Sequence, residues 1–394
     1  MKRFLLFFLV VSVVLWSTTG LGFSQEAKPG GTLIFGSAGD AARLDPADVT
    51  DGISITRTDA MFEGLLRYKE GSTEIEPCLA ESWDVSEDGL TFTFHLRKGV
   101  KFHDGTDFNA DAVVYSYKRQ FDPNHPFYQY GEWAYWKWMF NYVKDVEKVD
   151  DYTVRITLSE PNASFLTSMA MFTVAIVSPT ACEKYGADFF KNPVGTGPFK
   201  FVEWVKDDHL TVEAFDDYWG GRPYLDRIIF RVIPDPSVRL LELEKGTIDC
   251  MEYPSPDDLE RIKGNPDLVL LETAGINVGY LAMNVGEDTP GFEKPFADVR
   301  VRRAINHAIN KQEIVEYLYK GTAVAAKNPI PPSMWGTMMP SRTTSITPKK
   351  PVNFSRKPAI PTVLRPRSTP CLFPAPICLI HPKSPRPSKP IWKQ

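Results

Sequence analysis

Apolar and polar residues alternate along Thr91-Phe92-Thr93-Phe94-His95-Leu96, and the chain continues as Arg97-Lys98-Gly99-Val100-Lys101-Phe102. A period of two is typical of a strand with one buried face. The Arg-Lys-Gly segment has the composition of a tight turn, so the stretch predicts a β-hairpin with a second strand at residues 100–102. His95 and His103 flank this turn, and we expect them at solvent-facing strand positions.

Strand and helix patterns mix along the rest of the chain. Residues 31–36 are a short apolar strand that ends at a glycine, and residues 152–158 alternate again. Asn109 and Asp298 each precede a helical pattern and can cap its free amides. The stripe after Asp298 has helical spacing and predicts a helix packed on a core: Val301, Ala304, Ile305, Ala308 and Ile309. The fold class is therefore α/β with several antiparallel hairpins.

The N-terminus has the pattern of an export signal. Lys2 and Arg3 precede a short apolar run over residues 4–16, and small or polar residues follow. This run is short for a membrane span, so residues 1–24 are predicted to be a cleavable signal peptide. A retained anchor helix is the alternative. No cysteine follows closely, which favours a free periplasmic protein over a lipoprotein.

The C-terminal segment differs in composition from the rest of the 394-residue chain. Residues 337–394 hold 11 Lys plus Arg, no Asp or Glu, and 13 of the 33 prolines. The net charge of −4 therefore conceals a body of about −15 and a basic tail. A genuine basic tail would suit nucleic acid or lipid, but it has little regular basic and aromatic interleaving. A change of reading frame is the other explanation.

The genetic code tests that explanation. If the third base of each codon is read with the next two, starting at Gly336, Met338-Met339 must encode Asp and Met339-Pro340 must encode Ala. The shifted frame also permits amphipathic helices with start and stop residues that the written tail lacks. We therefore predict a one-base frameshift and a disordered tail at 337–394.

Catalytic motifs are not evident. The sequence has no G-x-S-x-G elbow, Walker A loop or H-E-x-x-H pair, and Gly195-Thr196-Gly197-Pro198-Phe199 is expected to be a turn before a strand. The histidines and the five cysteines show no metal-ligand or redox spacing, so we predict no metal, no cofactor and no enzyme. In an oxidising compartment, one pair among Cys78, Cys182 and Cys250 could form a disulfide. A secreted hydrolase is the weaker alternative.

One segment is unusually rich in aromatic residues. It contains Phe127, Tyr128, Tyr130, Trp133, Tyr135, Trp136, Trp138 and Phe140. Such side chains suit a pocket that holds varied ligand groups. Core packing of a small subdomain is the alternative and the favoured interpretation.

An ordered series of motifs resembles the extracellular solute-binding proteins of peptide and nickel ABC importers, above all the dipeptide-binding proteins of Gram-negative bacteria. The series runs from about residue 31 to 336. It includes Leu79-Ala80-Glu81-Ser82-Trp83, the strand and turn quoted above, Asn192-Pro193-Val194-Gly195-Thr196-Gly197-Pro198-Phe199, Phe215-Asp216-Asp217-Tyr218-Trp219-Gly220, and Ile330-Pro331-Pro332-Ser333-Met334-Trp335-Gly336. The shifted frame also continues as this family does.

The resemblance implies a two-lobed periplasmic-binding-protein fold of type II, which closes over a buried ligand by hinge motion. The expected parts are a large lobe at 25–270 with an inserted subdomain at about 66–185, and the start of a second, incomplete lobe at 271–336. The implied ligand is a dipeptide or oligopeptide, with glutathione, haem or a nickel chelate as alternatives. An ABC permease is the implied partner of a periplasmic monomer, and no nucleic acid is expected.

The resemblance also implies where a peptide would bind. The candidate ligand-binding residues are Thr50, Asp51 and Gly52 on a loop after the first strand, and Tyr280 and Asn284 near the crossing into the second lobe. Ordinary loop or core structure is the alternative for all five. The arginine and aspartate that anchor the two charged ends of a peptide in this family are missing from the written sequence. We therefore expect the product as written to bind peptide poorly or not at all.

Overall fold

The computed structural model describes residues 29–273, 275–285, 295–331, 334 and 377–380. The strands of this described part are β1 (Thr32–Ser37), β2 (Leu66–Tyr68), β3 (Ile75–Pro77), β4 (Ala80–Val85), β5 (Thr91–Leu96), β6 (Val143–Asp150), β7 (Thr153–Leu158), β8 (Phe199–Val205), β9 (His209–Ala214), β10 (Arg227–Val232), β11 (Cys250–Glu252), β12 (Val269–Glu272) and β13 (Ile377–Ile380). The helices are α1 (Gly52–Thr58), α2 (Ala110–Phe121), α3 (Ala134–Met139), α4 (Phe165–Ser168), α5 (Pro179–Tyr185), α6 (Pro236–Lys245), α7 (Leu259–Gly264), α8 (Val299–Ala308) and α9 (Lys311–Glu313), which continues as a π-helix at Ile314–Leu318.

The larger sheet has seven strands in the order β12-β13-β11-β1-β10-β9-β8. Strand β1 pairs in parallel with β10 on one side and with β11 on the other, while β8, β9, β12 and β13 pair antiparallel. Strand β1 therefore lies between two parallel neighbours, and its side chains Leu33 and Phe35 are buried. Such a central apolar strand is what a sheet covered on both faces requires.

A second sheet, in the order β4-β5-β7-β6, falls within the predicted insertion. The buried face of β5 is formed by the alternating residues Phe92, Phe94 and Leu96. The predicted strand β5 is therefore confirmed, but the predicted hairpin is wrong. Both edges of β5 are taken by β4 and β7, and residues 100–102 contribute only a single bridge, from Lys101 to Asp107.

The two histidines beside that turn have different environments. His95 is half exposed, and its Nε2 lies 2.8 Å from Asp84 Oδ2, so its solvent-facing position is confirmed. The prediction for His103 is wrong. Its Nε2 lies 2.9 Å from the carbonyl of Gly197, its Nδ1 accepts from the amide of Gly195, and its ring packs edge-on against Phe215.

The predicted helix caps are confirmed. Asn109 Oδ1 accepts from Ala112 N at 3.2 Å at the start of α2. Asp298 Oδ1 accepts from Arg300 N at 2.8 Å at the start of α8. Helix α8 has no buried residue in the described structure, so its predicted packing on a core is not seen there.

The aromatic segment is core. Phe127, Trp133, Trp136 and Phe140 are buried, and their rings contact one another and neighbouring aromatic side chains. Only Trp138 is largely exposed among the segment's tryptophans. The ligand-pocket alternative is therefore not supported.

The described cysteines Cys78, Cys182 and Cys250 are buried free thiols, so none of their possible disulfides is formed. Within the ranges given above, no helix is both long and apolar enough to span a bilayer. In the same part of the chain, no group of His, Cys, Asp and Glu side chains could hold a metal ion.

Four residues of the C-terminal segment form β13, which lies between β11 and β12 and pairs antiparallel with both. The predicted disorder of residues 337–394 stays a prediction. The rest of residues 337–394, like the signal peptide at 1–24, lies outside the described residues. The lobe boundaries remain predictions.

Candidate functional site at the carboxyl ends of the parallel strands

The three parallel strands end side by side at Ser37 of β1, Val232 of β10 and Glu252 of β11. We call the surface around these three residues the carboxyl edge. In open α/β sheets ligands bind outside the carboxyl ends of parallel strands, because the loops that follow the strands are free to vary there. The candidate ligand loop and the chain that leaves β11 toward residues 275–285 both start at this edge.

A buried charged group occupies the carboxyl edge. Arg57, from the last turn of α1, has a side chain only 2% exposed, and its Nη2 contacts Ser37 Oγ and lies 3.7 Å from Glu252 Oε1. Its guanidinium also lies over the ring of Phe230, 4.4 Å from the centroid. Burial lowers the pKa of Arg57, although the neighbouring charge of Glu252 opposes that shift. This arginine ties the helix after the ligand loop to the ends of β1 and β11.

A second buried arginine, Arg239 of α6, holds the chain where two of the strands end. Its Nη1 donates to the carbonyls of Ile233 at 2.6 Å and Pro234 at 2.8 Å, and its Nη2 donates to the carbonyl of Tyr253 at 3.1 Å. Tyr253 has a φ of 52°, a left-handed backbone that is costly for a non-glycine residue. The contact with Arg239 holds this strained residue in place beside Glu252.

The loop that leaves β1 is fixed by its acidic side chains. Asp40 accepts from Trp204 Nε1 and from the amide of Asp207, each at 2.8 Å, and pairs with Lys206. Burial acts to raise the pKa of Asp40, but these hydrogen bonds outweigh it and hold the pKa below its usual value. Further along, Asp45 makes a two-point ion pair with Arg119 of α2. The loop is therefore positioned before any ligand arrives.

Thr50, Asp51 and Gly52 form the turn that leads into α1. Thr50 and Gly52 are exposed, and the half-buried Asp51 caps the helix by accepting from Ser54 N at 2.8 Å. Asp51 thus has a structural task that the sequence analysis did not assign. A role of these residues in ligand binding stays a prediction.

Tyr280 and Asn284 lie on a separate segment of irregular backbone, residues 275–285, which follows β12. Both are exposed, with Tyr280 at 83%. The ligand-binding role of both residues also stays a prediction.

Sequence reasoning missed Ser37, Arg57, Arg239 and Glu252. A signal was present for Glu252, because a carboxylate at the end of the apolar segment Cys250-Met251 is unusual in a central strand. No local signal identified Arg57, which stands among ordinary polar helix residues.

The fold described above is that of an α/β lobe of the periplasmic-binding-protein type. The model of the family described as bacterial extracellular solute-binding proteins, family 5 Middle, matches residues 74–350, and the chain belongs to that family. Proteins of this family bind solutes and are not enzymes.

Relatives and solved structures agree with this assignment. The chain is 40% identical over 330 residues to Heme-binding protein A of Haemophilus influenzae, covering 79% of this chain and 58% of that protein. It is 40% identical over 333 residues to the dipeptide-binding protein of Escherichia coli, covering 79% and 60%. The periplasmic binding protein DppA of Helicobacter pylori, in complex with the peptide STSA, has a TM-score of 0.75 at 38% identity, covering 80% of this chain and 64% of that one.

The chain therefore spans about three fifths of the length of these relatives. The mixed α/β fold of the periplasmic binding proteins is confirmed, and the partial coverage fits an incomplete second lobe.

Proposed function

We propose that this protein is the periplasmic substrate-binding component of an ABC importer and that it binds dipeptides or short oligopeptides without transforming them. One observation carries the proposal: the likeness to DppA of Helicobacter pylori, which was solved with a bound peptide. A second neighbour, from Pseudoalteromonas sp. SM9913, was solved with Met-Leu and has a TM-score of 0.73 at 26% identity.

The carboxyl edge is consistent with a peptide ligand. The loop after β1 is held by Asp40 and Asp45, so its backbone groups have fixed directions before binding. Recognition of a peptide main chain by such groups leaves the ligand's side chains free to vary. A rigid loop also reduces the ordering entropy lost on binding. Both properties suit a receptor for many different dipeptides.

Haem is the second candidate, because one relative of 40% identity is named a haem-binding protein. The iron of haem is usually held by a histidine, cysteine, methionine or tyrosine side chain. In the described part of the chain four histidines already make hydrogen bonds within the protein: His95, His103, His125 and His209. The described cysteines are buried. The peptide keeps precedence because two of the solved neighbours hold a bound peptide.

The test is a ligand screen by thermal unfolding of the purified chain. The probes are Met-Leu, Ser-Thr-Ser-Ala, glutathione, haemin and a nickel–histidine complex. Only a ligand that binds the folded state raises the melting temperature, and a hundredfold excess over Kd adds about 2.7 kcal/mol to the free energy of unfolding. The peptide titration extends to about 10 mM, because the family's two charged anchors are missing from the written sequence and weak binding is expected.

We expect the two peptides to raise the melting temperature only at the upper end of the titration, because the product as written lacks both charged anchors, and we expect haemin to leave it unchanged. A rise with glutathione, haemin or the nickel complex alone would show that the fold serves another ligand. The same peptides are then tested for cleavage by mass spectrometry, since the proposal requires that they stay intact.

A further inference from the structure

Three separate segments of the chain meet where the predicted insertion leaves and rejoins the large lobe. They are residues 60–63 after α1, residues 102–103, and residues 195–199, which lead into β8, and we call their meeting point the neck. The amides of Gly197 and Phe199 donate to the carbonyls of Met61 at 2.9 Å and Ala60 at 3.2 Å. The neck therefore joins the end of α1, the helix that follows the candidate ligand turn, to the segment that returns from the insertion.

His103 fastens this returning segment at three points. Its amide donates to the carbonyl of Gly195 at 3.0 Å, its Nδ1 accepts from the amide of Gly195 at 3.3 Å, and its Nε2 donates to the carbonyl of Gly197 at 2.9 Å. The two ring contacts need one acceptor nitrogen and one N–H, which is the neutral imidazole with its proton on Nε2. A protonated ring carries N–H groups on both nitrogens and would point a donor at the amide of Gly195.

Asp104 and Lys200 are the charged groups that act on this ring. The Asp104 carboxylate already accepts from Ser178 Oγ at 2.6 Å, and Lys200 of β8 is held in an ion pair. Burial lowers the pKa of His103 to about 4 and Lys200 acts in the same direction, while the hydrogen bond to the Gly197 carbonyl and the charge of Asp104 act against it. The ring is therefore neutral in the closed neck at neutral pH and binds a proton more tightly once the neck opens.

Glu63 is the titratable group on the opposite side of the neck. Its Oε2 accepts from Thr196 Oγ1 at 3.0 Å, and its Oε1 lies 3.7 Å from the Sγ of Cys78, a thiol that is 1% exposed. Burial raises the pKa of Glu63, although its hydrogen bonds act against that shift. Acid therefore favours the closed neck through Glu63 and the open neck through His103, and a test has to separate the two groups.

We infer that His103 is an acid-sensitive switch in the neck: when its Nδ1 takes up a proton, the contact with the Gly195 amide is lost and residues 195–199 separate from the end of α1. The cause is proton linkage, because a group that binds its proton more tightly in the open state stabilises that state as the pH falls. Opening also uncovers the Cys78 thiol beside Glu63. The switch does not depend on the proposed peptide-binding function.

The experiment measures how fast Cys78 of the folded full chain reacts with 4,4′-dithiodipyridine between about pH 6.5 and pH 5. Each rate is divided by the rate of the same thiol in the urea-unfolded chain at the same pH, which leaves the population of the open neck. Peptide mass mapping assigns the labelled cysteines. With a pKa of 6.5 in the open neck and about 4 in the closed neck, His103 raises this population about fifteenfold over that range.

His103→Gln is the informative variant. Its amide offers a donor and an acceptor to the two glycine partners but does not titrate, so the fifteenfold increase should be absent. Glu63 is present in both proteins, and its opposite contribution cancels when the wild-type population is divided by that of the variant. His125→Gln is the matched control, since His125 also accepts a backbone amide, that of Phe127, but lies outside the neck. It should keep the increase.

Urea separates local opening from global unfolding. Opening of the neck exposes little surface, so labelling of Cys78 should hardly depend on urea below the unfolding transition, whereas labelling of the buried Cys182 should depend on it strongly. This comparison uses the wild-type chain and decides even if a variant does not fold. A small urea slope for Cys78, with a ratio of wild type to His103→Gln that rises about fifteenfold, supports the inference. Equal urea slopes for the two thiols, or a ratio that stays constant with pH, would overturn it.

Discussion

The buried pair between Arg119 and Asp45 gives the sharpest stability prediction. Both Nη atoms of Arg119 donate to the Asp45 carboxylate at 2.7 Å, and the two side chains are 0% and 4% exposed. The guanidinium also lies 5.1 Å from the ring centroid of Trp133. Asp45 Oδ1 further accepts from Ala47 N at 3.1 Å, so this pair fixes the loop that leads to the predicted ligand residues.

The proposed change is Arg119→Met, which keeps the apolar stem and removes the charge. Asp45 is then left buried without its partner, and breaking a buried pair in this way costs about 3–5 kcal/mol of unfolding free energy. For a folding unit of roughly 150–250 residues, each kcal/mol lowers the melting temperature by about 2–4 °C, so the expected decrease is roughly 6–20 °C.

The assay is urea unfolding followed by tryptophan fluorescence, with Asp45→Asn and the double variant measured beside Arg119→Met. Either single change leaves one charge buried without its partner. We therefore expect the sum of the two single losses of unfolding free energy to exceed the loss in the double variant by at least about 1 kcal/mol. Additive losses, or a loss below about 1 kcal/mol in Arg119→Met, would show that the pair is not a buried, coupled unit.

Three further predictions concern single residues. Asp51→Ala should lower the unfolding free energy by about 1 kcal/mol, because the Ser54 amide loses its capping partner. Asp51→Asn should keep most of this stability, and urea midpoints of the two variants measure the difference. Gly197→Ala should lower the unfolding free energy by about 3 kcal/mol or more, because an added Cβ would lie 2.6 Å from the carbonyl carbon of Met61. An unchanged urea midpoint in this variant would contradict the packing described. Burial lowers the pKa of His103 from 6.5 to about 4, so the unfolded chain takes up this proton first and stability falls as the pH drops from about 6.5 toward 4. His103→Gln should flatten that part of a pH series of urea midpoints, and an unchanged slope would refute the assignment.

A gene-level prediction accompanies these. Sequencing the gene across the codons for Trp335 and Gly336 and past the codon for Gln394 should reveal one missing or extra base, followed by an open frame that resembles the family. Confirmation of the written frame would instead leave a genuine basic tail, and peptide binding would then have to be shown for that product.

Local patterns predicted several elements correctly. The alternation in β5 and β7 and the caps of α2 and α8 depend on residues close together in sequence, and the structure contains all of them. The turn before β8 also begins where the Gly-Thr-Gly-Pro segment indicated. The predicted pairing of β5 with residues 100–102 was wrong, because the pairing of a strand depends on which distant strands are available and not on the turn alone.

The sequence by itself determined the class of the protein, the strands and helices with strong periodicity, and the family to which the ordered motifs belong. Only the tertiary structure decided that residues far apart in sequence, Ser37, Arg57 and Glu252, share the end of one sheet. The physical reason is the parallel pairing of β1 with β10 and β11, which aligns the end of β1 with residue Glu252, 215 positions later in the chain. A buried charge is stable only beside such partners, and no local pattern records where they will lie.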